Sequence, residues 1–141
     1  MFLSQPFPAN LEPVEFNVIR VLVVDRNPLM REGLALLVRL QSDMQLAGSA
    51  ATVEEALQIF SEQRPHVTLM DLDLPSEAAI AAIRRIRAQN PGARIIGLTT
   101  YEPDSAWAAA LTAGANQCIA KDRLSECLPQ LIRGGNSSGT P

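Results

Sequence analysis

The sequence predicts an α/β domain built on a doubly wound parallel sheet, and three observations support this class. Five short apolar runs alternate with five stretches of helical pattern along the 141-residue chain. The first run, VIRVLVV at 18–24, is continuous and rich in β-branched residues, as expected of a strand covered on both faces. Strands that alternate with helices form right-handed βαβ units, which place helices on both faces of a parallel sheet.

The first helix is predicted directly after the first strand. Asn27 and Pro28 form a typical pair of N-cap and first-turn residues. A second, weaker strand is expected at QLAGSA, 45–50, and Thr52 with Glu55 then forms a capping box for the second helix. The residues expected on the buried faces of these two helices are Leu29, Leu34, Leu37 and Val38 in the first and Ala56, Leu57 and Phe60 in the second.

The third strand is predicted at HVTLM, 66–70, and the fourth at ARIIGL, 93–98. Ser76 is expected to cap the helix between them, which should end near residues 90–92. The apolar stripe of this third helix consists of Ile80, Ile83 and Ile86.

The fourth helix is predicted from about Asp104 to Ala113, ending at Gly114, before a fifth strand at NQCIA, 116–120. Asp122 or Ser125 could cap a fifth helix. A proline inside a helix costs about 3 kcal/mol. Pro129 therefore predicts either that this helix is kinked or that it starts late, with Pro129 in its first turn.

The composition and the chain ends indicate a single domain at 18–133. Residues 1–17 contain three prolines and no clear period, which predicts an N-terminal arm, and the Gly/Ser-rich residues 134–141 predict a flexible tail or linker. The net charge of −3 provides no basic field for nucleic acid, and no apolar run suits a membrane span. With no secretory signal and only two cysteines, Cys118 and Cys127, we expect a cytoplasmic protein with reduced thiols.

Polar side chains follow four of the five predicted strands. In doubly wound sheets, the chemistry lies just beyond the carboxyl ends of the strands. The residues at those positions are Asp25, Arg26, Asp71, Asp73, Thr99, Thr100 and Lys121. Clustered carboxylates can hold Mg²⁺, a carboxylate can attack phosphorus, and hydroxyl and lysine donors can bind a phosphoryl group. This edge of the sheet is therefore the candidate site.

Four segments carry a resemblance to a known family: VLVVDRNPLMREGL, RPHVTLMDLDLP, GARIIGLTTYEPD and AGANQCIAKD. From about Val18 to Arg133 the chain resembles the receiver domain of bacterial two-component response regulators. It looks most like the NarL/FixJ group, which is joined to a LuxR-type helix-turn-helix. The resemblance implies a flavodoxin- or CheY-like (βα)5 fold with strand order 2-1-3-4-5, and a role in signal transduction and transcription regulation.

The resemblance also implies roles for the residues at the strand ends. Asp71 matches the phosphoacceptor, which would receive its phosphoryl group from a phosphohistidine of a sensor histidine kinase. Asp25, Asp71 and Asp73 match the positions that organise Mg²⁺. Thr99 and Lys121 match the residues that contact the phosphoryl group.

Two positions depart from the family pattern. Arg26 stands where the family has its second acid, a direct Mg²⁺ ligand, and a guanidinium there is expected to pair with Asp25 or Asp71 and compete with the metal. Asp73 could compensate in part if its side chain turns inward. Cys118, with Thr99 a switch position, replaces the usual aromatic residue. We therefore expect Mg²⁺-dependent phosphorylation to be weak or lost.

The fourth helix, SAWAAALTAGA, has almost no charge. In the family, the fourth helix, fifth strand and fifth helix form the face that contacts an output domain or a second copy. Trp107, Ala108 and Cys118 are the candidate contact residues on that face. The alternative is that Trp107 belongs to the core.

Two other readings of the chain are open. Asp71 and Asp73 form an Asp-x-Asp after a strand, as in phosphatases of the haloacid dehalogenase type, although nothing after Lys121 provides the acidic metal-binding pair that such phosphatases need. The domain could also be purely structural. We expect a non-enzymatic module that binds no nucleic acid directly. We also expect His66 to be structural, and the arginines 84, 85 and 87 to form a solvated basic face.

Overall fold

The computed structural model describes residues 18–100 and 105–134. Five strands and five helices alternate within them, and a short 3-10 turn at Lys121–Arg123 precedes the last helix. The strands are β1 (Ile19–Val24), β2 (Met44–Ala50), β3 (Val67–Asp71), β4 (Arg94–Thr99) and β5 (Gln117–Ala120). The helices are α1 (Pro28–Arg39), α2 (Val53–Gln63), α3 (Ser76–Gln89), α4 (Ser105–Ala113) and α5 (Leu124–Ile132).

All neighbouring strands are parallel, and their order is β2-β1-β3-β4-β5. Two buried clusters lie on opposite faces of the sheet. One packs α2, α3 and α4 against it, and the other packs α1 and α5. This confirms the predicted doubly wound sheet and its strand order. The switch in order lies between β1 and β3, so the carboxyl ends of these two strands open onto one crevice.

Two helix starts follow the sequence prediction. The Asn27 side chain accepts hydrogen bonds from the backbone N–H groups of Leu29 and Met30, with Pro28 in the first turn. Thr52 Oγ1 accepts from the N–H of Glu55 at 3.2 Å. The Glu55 carboxylate in turn accepts from the N–H of Ala51 at 2.9 Å. Both caps satisfy N–H groups that have no partner within their helix.

Three predictions about helix ends were wrong or fall outside the described residues. Helix α3 begins at Ser76, and the N-cap is Pro75. Pro129 lies in the interior of α5, whose N-cap is Arg123, so neither Asp122 nor Ser125 caps this helix. Asp104, the predicted start of the fourth helix, lies outside the described residues; the end is as predicted, because Gly114 adopts a φ of 129°.

The exposed side of α1 also differs from the prediction. Leu34 and Val38 are buried, but Leu29 is 80% exposed and was wrongly assigned to the same face. Residues on a helix are about 100° apart, which places Leu29 almost opposite Val38.

Arg87 is a further correction. It was predicted to share a solvated basic face with Arg84 and Arg85, which are indeed exposed. The Arg87 guanidinium is instead partly buried where α3 ends and donates hydrogen bonds to Gly114 O, Pro91 O, Ala93 O and Asn116 Oδ1 at 2.6–3.2 Å. It therefore joins the end of α3 to the turn before β5.

Within 18–100 and 105–134, no helix has the length and apolar character needed to cross a bilayer.

Candidate functional site

The carboxyl ends of β1, β3 and β4 and the residue after β5 bring the predicted polar side chains to one edge of the sheet. Asp25 and Thr99 have no exposed surface, and Asp71 is 1% exposed. Their positions follow from the sheet register, in which Asp71 pairs with Leu98 and Val24 with Met70. The apolar runs that end in these residues are the continuous hydrophobic strands of a sheet that is covered on both sides.

Lys121 is the centre of this edge. Its Nζ lies 3.0 Å from Asp71 Oδ1, 3.1 Å from Asp25 Oδ2 and 3.6 Å from Asp73 Oδ2. The side chain is 15% exposed, so the ion pairs with Asp25 and Asp71 are largely removed from water. One ammonium thus contacts three carboxylates, which leaves the cluster with more negative than positive charge.

Each of the two buried carboxylates also accepts hydrogen bonds from the backbone. Asp25 Oδ1 accepts from the N–H of Asn27 at 2.9 Å, and Asp71 Oδ1 accepts from the N–H of Asp73 at 2.9 Å. Asp25 Oδ2 is different: it is buried, touches Lys121 Nζ only as an ion pair, and accepts no hydrogen bond from the described residues. This oxygen is the least satisfied polar atom of the site.

The charges of Lys121 and Asp71 affect one another. Burial raises the pKa of Asp71, and the nearby Asp25 charge raises it further. The hydrogen bond from the N–H of Asp73 and the Lys121 ammonium lower this pKa, but by less, so the net shift is upward. For Lys121, burial acts to lower the pKa, but the close contacts with Asp71 and Asp25 and the charges of both carboxylates raise it above its usual value. Lys121 is therefore firmly protonated, while the ionised form of Asp71 is disfavoured.

A neutral residue at position 71 is expected to stabilise the fold. A carboxyl whose pKa is raised on folding destabilises the native state when ionised, and this cost disappears as the pH falls through the folded pKa. Asp71→Asn removes the charge at neutral pH and keeps an oxygen for the N–H of Asp73. We expect the melting temperature to rise by about 2–5 °C, or roughly 1 kcal/mol.

The matched control for this prediction is Asp122→Asn, which removes an exposed acid beside Lys121. Its effect should stay within about 0.5 kcal/mol. Calorimetry at pH 7 measures the melting temperatures of both variants. A lower melting temperature for Asp71→Asn than for the unmodified chain would contradict the expectation.

Arg26 does not make the predicted contacts. It is exposed, and no ion pair joins it to Asp25 or Asp71 in the described structure. Lys121 takes the place that was predicted for the guanidinium. Arg31, one turn into α1, donates to the Asp25 carbonyl oxygen at 2.7 Å, so a second cation also lies close to the first strand end.

Asp73 turns toward the site, as one prediction required. Its Oδ2 accepts from the backbone N–H of Thr100 at 3.0 Å and from the Thr100 hydroxyl at 2.5 Å. The side chain remains 38% exposed. Asp73 thereby links the loop after β3 to the end of β4, a contact that the sequence did not indicate.

The residues present do not form a complete site for Mg²⁺. The buried Asp25 Oδ2 is the kind of oxygen that a cation takes, but the Lys121 ammonium already lies against it. Position 26 supplies a positive charge in place of a third acid, and within the described residues no group of three His, Cys, Asp or Glu side chains is arranged to hold a metal ion. Mg²⁺ requires oxygen ligands in near-octahedral geometry, which this set does not offer.

Thr99 is connected to α4 by a hydrogen bond that the sequence did not predict. The indole Nε1 of Trp107 donates to Thr99 Oγ1 at 2.6 Å. Trp107 is half-buried, and its carbonyl oxygen lies 4.0 Å from Cys118 Sγ. Trp107 therefore touches both predicted switch positions; the only sign of this in the sequence was a single tryptophan in an alanine-rich helix.

A cavity of about 340 Å³ lies beside Trp107, between α4, β5 and α5. Leu111, Cys118, Cys127 and Leu131 are among its lining residues. Cys118 and Cys127 form no disulfide within the described residues. Away from this edge, His66 Nδ1 accepts a hydrogen bond from the N–H of Arg20 at 2.9 Å, which is a structural role.

Comparison with known proteins agrees with this geometry. The family model described as "Response regulator receiver domain" matches residues 21–133. The chain is 33% identical to the uncharacterized transcriptional regulatory protein YxjL of Bacillus subtilis, over 82% of this chain and 53% of YxjL. It is 32% identical to the response regulator GacA of Pseudomonas protegens, over 82% of this chain and 54% of GacA.

The chain also resembles solved structures of response regulators. The LuxR-family two-component response regulator of Aurantimonas sp. SI85-9A1 superposes with a TM-score of 0.73 at 28% identity, covering 84% of this chain and 88% of that one. The chain spans about half the length of the curated relatives it matches. Receiver domains are signalling modules that act between sensor histidine kinases and output domains, and they generally bind Mg²⁺. With its strand order, its acidic edge and the match over 21–133, this chain belongs to the family of response regulator receiver domains.

Proposed function

We propose that the chain is the receiver domain of a LuxR-type transcriptional regulator in which Mg²⁺-dependent phosphorylation of Asp71 is weak or absent. In this proposal the domain works mainly through protein contacts. The observation that carries it is Arg26 at the second acid position, beside Asp25, Asp71 and Asp73, whose carboxylates the Lys121 ammonium already contacts. A domain at 18–133, with an arm before it and a linker after it, is part of the same proposal.

The electrostatic argument has two parts. Asp71 is in contact with a tethered cation, so a divalent ion has to displace that cation before it can bind the same oxygen. Arg26 adds a second positive charge at the mouth of the site, and repulsion between a guanidinium and a dication acts in water over several ångströms. Both effects lower the affinity for Mg²⁺, on which phosphoryl transfer in this family depends.

The proposed route from the site to a partner runs through Thr99 and Trp107. A phosphoryl group or a partner that forms a hydrogen bond with the Thr99 hydroxyl would change the orientation of this hydroxyl. Its hydrogen bond with the Trp107 indole N–H would then weaken. The indole lies next to the cavity between α4, β5 and α5, where it has space to move. Trp107, Ala108 and Cys118 are then the contact residues for an output domain, with a sensor histidine kinase as the input.

The direct test is chemical. The chain is incubated with a small-molecule phosphodonor and Mg²⁺ at millimolar concentration, and intact mass measures the fraction that gains a phosphoryl group. We expect little modification in the unmodified chain. Stoichiometric modification that is lost in Asp71→Asn would contradict the proposal.

Two further measurements separate the other readings. If Asp71→Asn and Asp71→Glu leave partner binding and oligomeric state unchanged, the purely structural reading gains support. Turnover of a generic aryl phosphate that depends on Asp71 and Asp73 would instead favour the phosphatase reading, which no described acidic pair after Lys121 supports.

The Thr99–Trp107 hydrogen bond gives an optical prediction. The chain has one tryptophan, so its fluorescence reports this side chain alone. Thr99→Val removes the acceptor of the hydrogen bond from the indole N–H. We expect the indole to turn toward water and the emission maximum to move to longer wavelength.

Thr99→Ser keeps the hydroxyl and should keep the emission of the unmodified chain. Thr100→Val makes the same change at the exposed neighbouring position. It shows whether any loss of packing at the end of β4 is enough to shift the emission. Equal shifts in Thr99→Val and Thr100→Val would show that the indole hydrogen bond is not what fixes Trp107.

A further inference from the structure

An apolar stripe runs along the outer side of α1. Of the four large hydrophobic side chains that are exposed in the described structure, two belong to this helix and a third is its C-cap: Leu29 is 80%, Leu36 55% and Leu40 72% exposed. Gly33 is exposed between them. The spacing of these four residues along the chain is four, three and four, which places them on one line of a helix. We call these four residues the α1 seam.

The seam has the pattern of a helix-to-helix contact. Alternating steps of three and four are the spacing at which one helix packs its side chains between those of another. The fold itself does not require Gly33, since a Cβ at this position would meet nothing within 4 Å. A glycine in an exposed helix interior costs about 1 kcal/mol relative to alanine. Gly33 therefore leaves an open space on this side of α1 and makes the monomer less stable than an alanine would.

We propose that the α1 seam binds the α1 seam of a second copy of this chain, with the two helices antiparallel about a two-fold axis. In that arrangement Leu29 of one copy lies beside Leu40 of the other. Leu36 lies over Gly33 of the second copy, so its side chain enters the space that the glycine leaves. A two-fold contact needs a surface that complements itself, and the order Leu, Gly, Leu, Leu has this property only in the antiparallel direction.

The charges beside the seam fit the same arrangement. Glu32 and Arg39 are both exposed, and neither makes an ion pair with any described residue. They are seven residues apart and so lie on the same flank of α1. In the antiparallel pair, Glu32 of one copy comes close to Arg39 of the other, twice by symmetry. A parallel pair would bring Gly33 against Gly33 and would leave an empty space at the centre of the contact.

The size of the seam sets the strength of the contact. Two 12-residue helices bury less than the roughly 1,200 Å² of a standard interface, so a weak dimer is expected. The seam also differs from the proposed output face, which lies across the sheet edge at α4, β5 and α5. One copy can thus pair through α1 and keep its Trp107 face for another partner.

Sedimentation equilibrium of the unmodified chain from about 20 µM to about 1 mM tests the proposal. We expect reversible dimers at the higher concentrations. Leu36→Glu should weaken association at least tenfold, and Leu111→Glu is the matched control, because Leu111 is an exposed leucine (45%) on α4. The control should change the dissociation constant by less than about twofold.

Two further variants distinguish the seam from a general loss of structure. Gly33→Leu fills the proposed space, so it should weaken the dimer while raising the melting temperature of the monomer. Glu32→Arg and Arg39→Glu should each weaken the dimer, and the double variant should recover association. A chain that stays monomeric at about 1 mM, or dimers lost in Leu111→Glu and kept in Leu36→Glu, would overturn the proposal.

Discussion

Arg26→Asp is expected to raise the affinity of the chain for Mg²⁺ at least tenfold and to make Asp71 a measurable phosphoacceptor. The substitution changes the local charge by two units beside a dication. One pair of unit charges 4 Å apart in water interacts by about 1 kcal/mol, so this change is worth more than the roughly 1.4 kcal/mol of a tenfold effect even after screening. It also supplies a carboxylate at the position where the family holds its metal.

Isothermal titration with Mg²⁺ measures the affinity, and intact mass after incubation with a phosphodonor measures the modification. Arg26→Ala separates the removal of the positive charge from the gain of a ligand, and should give a smaller increase. Arg85→Asp makes the same change of charge on the exposed face of α3 and should leave Mg²⁺ binding unchanged. If all three variants bind Mg²⁺ as the unmodified chain does, Lys121 alone excludes the metal.

Arg87→Ala is expected to destabilise the fold by about 3–4 kcal/mol, which corresponds to a fall of roughly 10 °C in melting temperature. The guanidinium donates to Asn116 Oδ1 and to four backbone carbonyls, those of Asn90, Pro91, Ala93 and Gly114, and the alanine removes all of these hydrogen bonds. Chemical denaturation and calorimetry measure the loss.

Arg87→Lys should recover only part of the stability, because an ammonium cannot reach acceptors that are spread as widely as those of a guanidinium fork. Arg85→Ala on the same helix removes an exposed arginine with no hydrogen bond to the described residues, and should cost less than about 0.5 kcal/mol. Equal losses from Arg85→Ala and Arg87→Ala would contradict the structural role assigned to Arg87.

The sheet could be predicted from the sequence because its strands are continuous apolar runs. VIRVLVV and HVTLM do not alternate between polar and apolar residues, as a strand at the surface would. Asn27 and Pro28 mark a helix start by local chemistry alone. The strand order came from the resemblance, since local patterns do not specify which strands are neighbours. The strand ends then placed Asp25, Asp71 and Lys121 at one edge without further information.

What could not be predicted depended on distant partners. The acceptors of Arg87 at Gly114 and Asn116 lie 27 and 29 residues further along the chain. The Trp107 indole reaches Thr99 only because α4 packs beside the end of β4. Charge alone could not decide whether Arg26 or Lys121 would contact the acids, since both are cations at strand ends. In the structure Lys121 makes these contacts and Arg26 is exposed.

The Lys121 ammonium has a consequence for how the domain depends on its surroundings. A positive charge that belongs to the chain is present at a fixed local concentration and cannot be removed by dilution or by a chelator. In the proposed reading, a metal ion that binds at this edge has to compete with this cation, which offsets part of the negative charge of the acids. We therefore expect the charge of this edge to depend less on the supply of Mg²⁺ than it would in an acid cluster that lacks a tethered cation.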